Sequence, residues 1–171
     1  MALGYACINM QLSYPQQYGG KEKGVERITT GRTMIKRTFK AKGTDYASDI
    51  ILKNVRDLDK IIEWNIEQGY ELFRISSSMI PWKSEYKWSQ LKDLEEIKFW
   101  LKSGGEKATK GGLRLTTHPG QFNVLTSPHE HVVENCINDL TIHGEVFDIC
   151  LLYTSDAADD SLRVDLGGRR I

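Results

Sequence analysis

Only three cysteines, Cys7, Cys136 and Cys150, occur in 171 residues. A sparse, odd set argues against a disulfide scaffold and for a reducing compartment, and no pair has zinc-ribbon spacing. No apolar run approaches the roughly 20 residues needed to cross a bilayer. The start, Met1-Ala2-Leu3-Gly4-Tyr5, lacks the basic region and apolar stretch of a signal peptide. A soluble, cytoplasmic protein is expected. Charge is balanced at 23 basic against 23 acidic residues, so the total names no partner. A P-loop, a GxGxxG after a strand, HExxH and GxSxG are all missing, which removes the commonest nucleotide, zinc-protease and serine-hydrolase signatures.

What is present fits one globular domain, with 40% hydrophobic residues to build a core. Charge is uneven locally. From Gly20 to Arg56 there are ten Lys or Arg and four Asp or Glu. Such a stretch suits contacts to phosphates, which dominate nucleic-acid affinity. It equally suits a solvated loop and a charged helix face.

Patterning predicts three strand–helix units. Ala2 to Asn9 reads as a buried first strand, and Met10 to Gly43 as a long polar loop of the kind that is often functional. A helix is expected from Ser48 to Gln68, because Ile51, Val55, Leu58, Ile62 and Ile66 recur at spacings of three and four. Gly69 stands where a left-handed residue closes a helix. Tyr70 to Ser76 is a second strand. Trp88 to Lys102 is a second helix, ended by Ser103-Gly104-Gly105. Leu113 to Thr117 is a third strand, closed by His118-Pro119-Gly120. Ser127, Pro128 and Glu130 form a capping box for a third helix, with Val133, Cys136, Ile137, Leu140 and Phe147 on its buried face. Strict alternation implies a parallel sheet with helices outside it, either doubly wound or closed into a barrel.

In both architectures sites form where strands end. His118 stands at such a point, where an imidazole can bind a metal, act as a base or simply hold structure. Gln121 and Phe122 follow on a turn fixed by Pro-Gly, and an amide beside a ring suits base recognition by hydrogen bonding and stacking. Tyr5 and Asn9 are polar groups in or beside a strand and need partners if buried. Arg32, Lys36 and Arg37 can hold phosphates or be solvated. His129, His131 and His143 lie on the third helix and are expected to face solvent or neighbouring helices. Trp82 and Trp88 are expected to cover the core.

Several segments, in this order and spacing, resemble the N-terminal half of the UV damage endonuclease family. They are Leu3-Gly4-Tyr5-Ala6-Cys7-Ile8-Asn9, Thr30-Gly31-Arg32-Thr33, Lys53-Asn54-Val55-Arg56-Asp57-Leu58, Phe73-Arg74-Ile75-Ser76-Ser77, Ile80-Pro81 and His118-Pro119-Gly120-Gln121-Phe122. The resemblance implies a TIM-like (β/α)8 barrel, here cut to about three βα units. It implies metal-dependent nicking of double-stranded DNA immediately 5′ of UV photoproducts, with a divalent cluster, most often manganese, in a monomeric enzyme of bacterial, archaeal or phage origin. By the same resemblance His118 matches a metal ligand, and Gln121 with Phe122 matches a Gln–Tyr pair that probes the lesion. Tyr5 and Asn9 match residues near the damaged bases and the backbone, and Arg32 is assigned to DNA. Ile8 replaces a glutamate and Ser78 a histidine found in some members. Alternatives on similar residues are a metal-dependent sugar isomerase or epimerase on the same barrel type and a non-catalytic nucleic-acid-binding domain.

The tail resembles something else. Residues 150–171, with fixed parts around a short segment from Ser161 to Arg163, resemble the translation of a transposase-based sequencing adapter. On that reading residues 1–149 carry the native domain and 150–171 are foreign. Val164 to Gly168 reads otherwise as a barrel strand and turn. The expectation is an open half-barrel that lacks the family's later metal ligands, inactive and unstable by itself.

Overall fold

The computed structural model describes residues 3–18, 26–118 and 123–150. Three short strands, β1 (Gly4–Ala6), β2 (Leu72–Arg74) and β3 (Arg114–Thr116), form one parallel sheet in sequential order. Tyr5 pairs in register with Phe73, and Phe73 with Leu115. Five helices accompany them: α1 (Met10–Ser13), α2 (Pro15–Tyr18), α3 (Lys36–Glu67), α4 (Leu94–Lys110) and α5 (Glu130–Ile149). The expected alternation of strand and helix is therefore present. Its order 1-2-3 excludes a 2-1-3 winding and fits either a barrel or one half of a dinucleotide-type sheet.

The core follows from the stripe on α3. Ile51, Val55, Leu58 and Ile62 are each at most 1% exposed and pack with Ile97 and Leu101 of α4 and with Phe73 of β2. At roughly 1.5–3 kcal/mol per fully buried large aliphatic side chain, this stripe outweighs any local helix preference. Gly69 has φ 74 and Tyr70 N donates to Asn65 O, so the predicted left-handed closure of α3 is present.

Four boundaries differ from expectation. The segment before Ser48 is not a loop throughout. Chain from Met10 to Ser13 and from Pro15 to Tyr18 is helical, and α3 begins at Lys36, with a break at Gly43 (φ 65, ψ −161). Lys, Arg and Ala favour helix, and Phe39 anchors the segment against Trp82 and Tyr86, with ring centroids 6.1 and 5.9 Å away. One anchor gives no periodic signal, and the Gly43 break throws the phase. Ser48, predicted to open the helix, is buried within it and accepts from Asp93 N across to the start of α4.

The second helix is shifted. Trp88–Gln90 is a 3-10 turn, and α4 runs from Leu94 to Lys110 straight through Gly104 and Gly105. These glycines do not end the helix, because they sit in its closest contacts. A Cβ on Gly105 would lie 1.8 Å from the carbonyl oxygen of Cys150, and one on Gly104 would lie 3.1 Å from Ile62 Cδ1.

The third helix starts at Glu130, with His129 rather than Ser127 at its N-cap; Ser127 Oγ accepts instead from His129 N. Its predicted buried face is only partly buried. Cys136 is 1% exposed, but Ile137 is 54% and Leu140 39% exposed, because no other described element packs on that side. The first strand is likewise less buried than predicted: Gly4 and Ala6 are exposed and only Tyr5 turns inward, as befits the sheet's edge.

Candidate active site at the strand ends

The C-terminal ends of the three strands bring together residues far apart in sequence. At the end of β1, Ile8 N donates to Ala6 O at 2.7 Å across Cys7, which holds φ 63. This is a three-residue γ-type turn, uncommon for a residue with a side chain. Cys7 N also donates to Arg74 O of β2 at 2.7 Å. The result aims the Cys7 thiol across the sheet at His118, with Sγ 3.5 Å from Nε2. His118 thus sits at the exit of β3 as predicted, half-buried and against the exit of β1. Pro119, Gly120, Gln121 and Phe122 lie outside the described residues.

Tyr5 and Asn9 satisfy one another. Asn9 Nδ2 donates to Tyr5 Oη at 2.7 Å, while Asn9 Oδ1 accepts from Leu12 N at 3.0 Å and so caps α1. The Tyr5 ring packs on Phe73 and Tyr70. Burial pushes its hydroxyl above the ordinary phenol value, and the amides of Asn65 and Asn9 oppose that rise. Both residues therefore have the partners that polar groups at a strand end require.

Arg32 is built into the fold. Its Nη1 donates to Asp57 Oδ2 and to Thr29 O, each at 2.6 Å, and its Nη2 to Arg27 O at 2.8 Å. Asn54 completes the lock: Oδ1 accepts from Arg32 N, and Nδ2 donates to Arg32 O and Met79 O. The Thr30-Gly31-Arg32-Thr33 and Asn54-to-Leu58 segments, separate in the sequence, are one interlocked unit. Other cations nearby are also engaged. Lys36 Nζ lies 5.7 Å from the Trp82 ring centre, and Lys83 Nζ lies 4.9 Å from that of Trp88.

Two residues that sequence reasoning assigned no role border the site. His143 Nδ1 lies 3.0 Å from Thr117 Oγ1, and its Nε2 lies 3.9 Å from Asp139 Oδ2. Asp139 Oδ2 also accepts from Asn123 Nδ2. Burial holds the His143 imidazole below its ordinary value; Asp139 pulls it up and His118 pushes it further down. His143 therefore faces the site and not the solvent. The available signal was the spacing of four between Asp139 and His143, which places both on one face of a helix. His129 and His131 are exposed, as expected. A cleft of about 490 Å³ opens beside this cluster, lined among others by Ser77, Ser78, Lys83, Asn123, Asn138 and His143.

Among the described residues no three His, Cys, Asp or Glu side chains converge as a metal cage would need. The donors around His118 are a thiol and a second, engaged imidazole. They do not by themselves compose a metal centre.

Comparison with known proteins supplies the context. The family model "UV-endonuclease UvdE" matches residues 1–170. The UV-damage endonuclease of Schizosaccharomyces pombe is 34% identical over 166 residues, which are 97% of this chain and 26% of that protein. The putative UV-damage endonuclease of Acanthamoeba polyphaga mimivirus is 37% identical over 173 residues, 97% of this chain and 46% of that protein. The crystal structure of SacUVDE superposes with a TM-score of 0.71 at 25% identity, over 88% of this chain and 46% of that one. The chain thus spans between about a quarter and a half of the length of these relatives. The three parallel βα units are those of a TIM-like barrel, and the chain belongs to the UV-endonuclease UvdE family.

Proposed function

We propose that this chain is the N-terminal part of an endonuclease that nicks duplex DNA immediately 5′ of UV photoproducts. The observation that carries the reading is the meeting of the β1 and β3 ends, Cys7 against His118, in a chain of this family. That is the face on which barrel enzymes assemble their chemistry. His118 supplies a neutral nitrogen donor there. Gln121 and Phe122, next in sequence, supply an amide and a ring for a distorted base stack.

The reaction is proposed to need a divalent cation, manganese by family resemblance, with His118 among its ligands and the others from outside the described residues. When bound, such a cation supplies Lewis-acid assistance to phosphodiester hydrolysis. Tyr5 and Asn9 stand at the same rim and are proposed to face the DNA near the lesion. Arg32 contributes its charge from within the Asp57 lock, so its part in DNA binding is proposed to be electrostatic. The proposed organisation has residues 1–149 as the native domain and 150–171 as a foreign tail.

The test is cleavage of an end-labelled duplex, UV-irradiated or not, by a full-length version of the protein with manganese or with EDTA. A nick directly 5′ of the photoproduct, lost with EDTA and in His118→Ala, supports the reading. Metal-independent, salt-sensitive binding without cleavage, or epimerisation of sugar phosphates in place of nicking, would overturn it.

A further inference from the structure

The segment 118–122 begins and ends on the same helix face. Thr117, immediately before His118, meets His143, and Asn123, immediately after Phe122, meets Asp139. Asp139 and His143 are one turn apart on α5, with Oδ2 and Nε2 3.9 Å from each other. A third tie adjoins these: Val124 N lies 3.0 Å from Cys136 Sγ, one turn earlier on the helix.

The polarity of the contacts is consistent along the chain of groups. The Thr117 hydroxyl donates to Nδ1 of a neutral imidazole, whose Nε2–H then faces the Asp139 carboxylate. That carboxylate accepts from the Asn123 amide on its other side. Each group has the partner its chemistry calls for. α5 itself is held firmly further along, where Val146 and Cys150 are buried and Glu145 accepts from Trp88 Nε1 at 2.9 Å. The helix is a rigid ruler, and Asp139 and His143 are marks on it to which the two ends of a five-residue segment are fastened.

We propose that Asp139 and His143 are positioning residues that set the separation and aim of residues 118–122, and so of His118, Gln121 and Phe122. This rests on the function proposed above. Functional side chains must be held to within about half an ångström by supporting groups, and these two are the described side chains that fasten both ends.

The test uses the full chain and backbone hydrogen exchange, read by mass spectrometry over peptides spanning 117–124 and, as reference, over Ile50–Ile62 of α3. Loss of one tie should raise exchange over 117–124 about tenfold, the equivalent of about 1.4 kcal/mol. His143→Ala and the near-isosteric Thr117→Val should show this rise with the α3 reference unchanged. Thr117→Ser, which keeps the hydroxyl, and Asp139→Asn, which keeps an acceptor, should restore slow exchange. The proposal fails if Thr117→Val and His143→Ala stay within twofold of the parent, or if the rise spreads equally to α3. Thr117→Val removes only the hydroxyl, so it decides the matter even where His143→Ala does not fold. A second arm measures binding of the same variants, in a full-length version, to a duplex carrying one thymine dimer against an undamaged duplex. A tenfold exchange change with no loss of discrimination would leave the fastening standing and remove the lesion-reading role.

Discussion

α3 and α5 carry similar apolar stripes and have different fates. On α3 the stripe is sealed by α4 and the sheet, and its polar residues are equally occupied: Asn54 and Asp57 hold the Arg27–Arg32 loop, and Asp59 holds Ser103 and Lys107. On α5 the inward side holds Cys136 and Val146, while Ile137 and Leu140 stand exposed. The two helices show that periodicity reveals which face is apolar, not whether a neighbour covers it. α3 is stabilised by its burial. α5 is placed largely by polar ties at its middle and by its buried C-terminal turn.

Substitutions can break or sharpen that contrast. The largest effect should come from Asn54→Ala, which leaves Arg32 N, Arg32 O and Met79 O without their shared partner. A loss of about 3 kcal/mol is expected in urea unfolding followed by tryptophan fluorescence. Gly105→Ala should cost about 1–3 kcal/mol by the same measurement, since the added methyl group overpacks the contact with Cys150. If instead it costs nothing, the end of α5 is not seated against α4.

A smaller effect is expected at Lys107. Its hydrogen bond to Asp59 raises its ammonium above the ordinary lysine value. The stabilisation is therefore complete below the unfolded lysine value and lost as pH rises through the higher folded value. Lys107→Met should remove that alkaline loss and cost under about 1 kcal/mol at neutral pH, since the side chain is more than a third exposed. The smallest effect belongs to the pair Ile137→Ser and Leu140→Ser. Each should lie within about 0.5 kcal/mol of the parent, and a drop above 2 kcal/mol would show that this face is covered in solution. Thiol labelling checks the same division. Cys150 is buried, its thiol pushed up to about 12, and Cys136 is buried too, so Cys7 should react first.

Much of the architecture was legible in the sequence. The α3 stripe, the Gly69 closure, the strand–helix alternation and the place of His118 were all readable, because each rests on local periodicity or on a single residue with a fixed conformational preference. Gly104-Gly105 misled because the same pair that stops an exposed helix also lets a buried one approach its neighbours. Ser127-Pro128 misled because a serine two residues ahead of an amide can satisfy it without opening the helix. The interlock of Arg32 with Asn54 and Asp57, and the contact of Asp139 and His143 with the two ends of 118–122, join residues at least 16 apart. No local pattern encodes such pairings. They depend on where the sheet sets the helices.

Gly43 interrupts α3 with a φ of 65, and a Cβ there would meet nothing within 4 Å. Space does not demand glycine at this position; backbone torsion does. The seven residues ahead of it include Lys36, Arg37, Lys40 and Lys42 and no acidic residue. An alanine at this joint would favour one straight rod and swing that cationic end off Trp82 and Tyr86. A single missing methyl group therefore decides the direction in which the molecule's densest positive charge points.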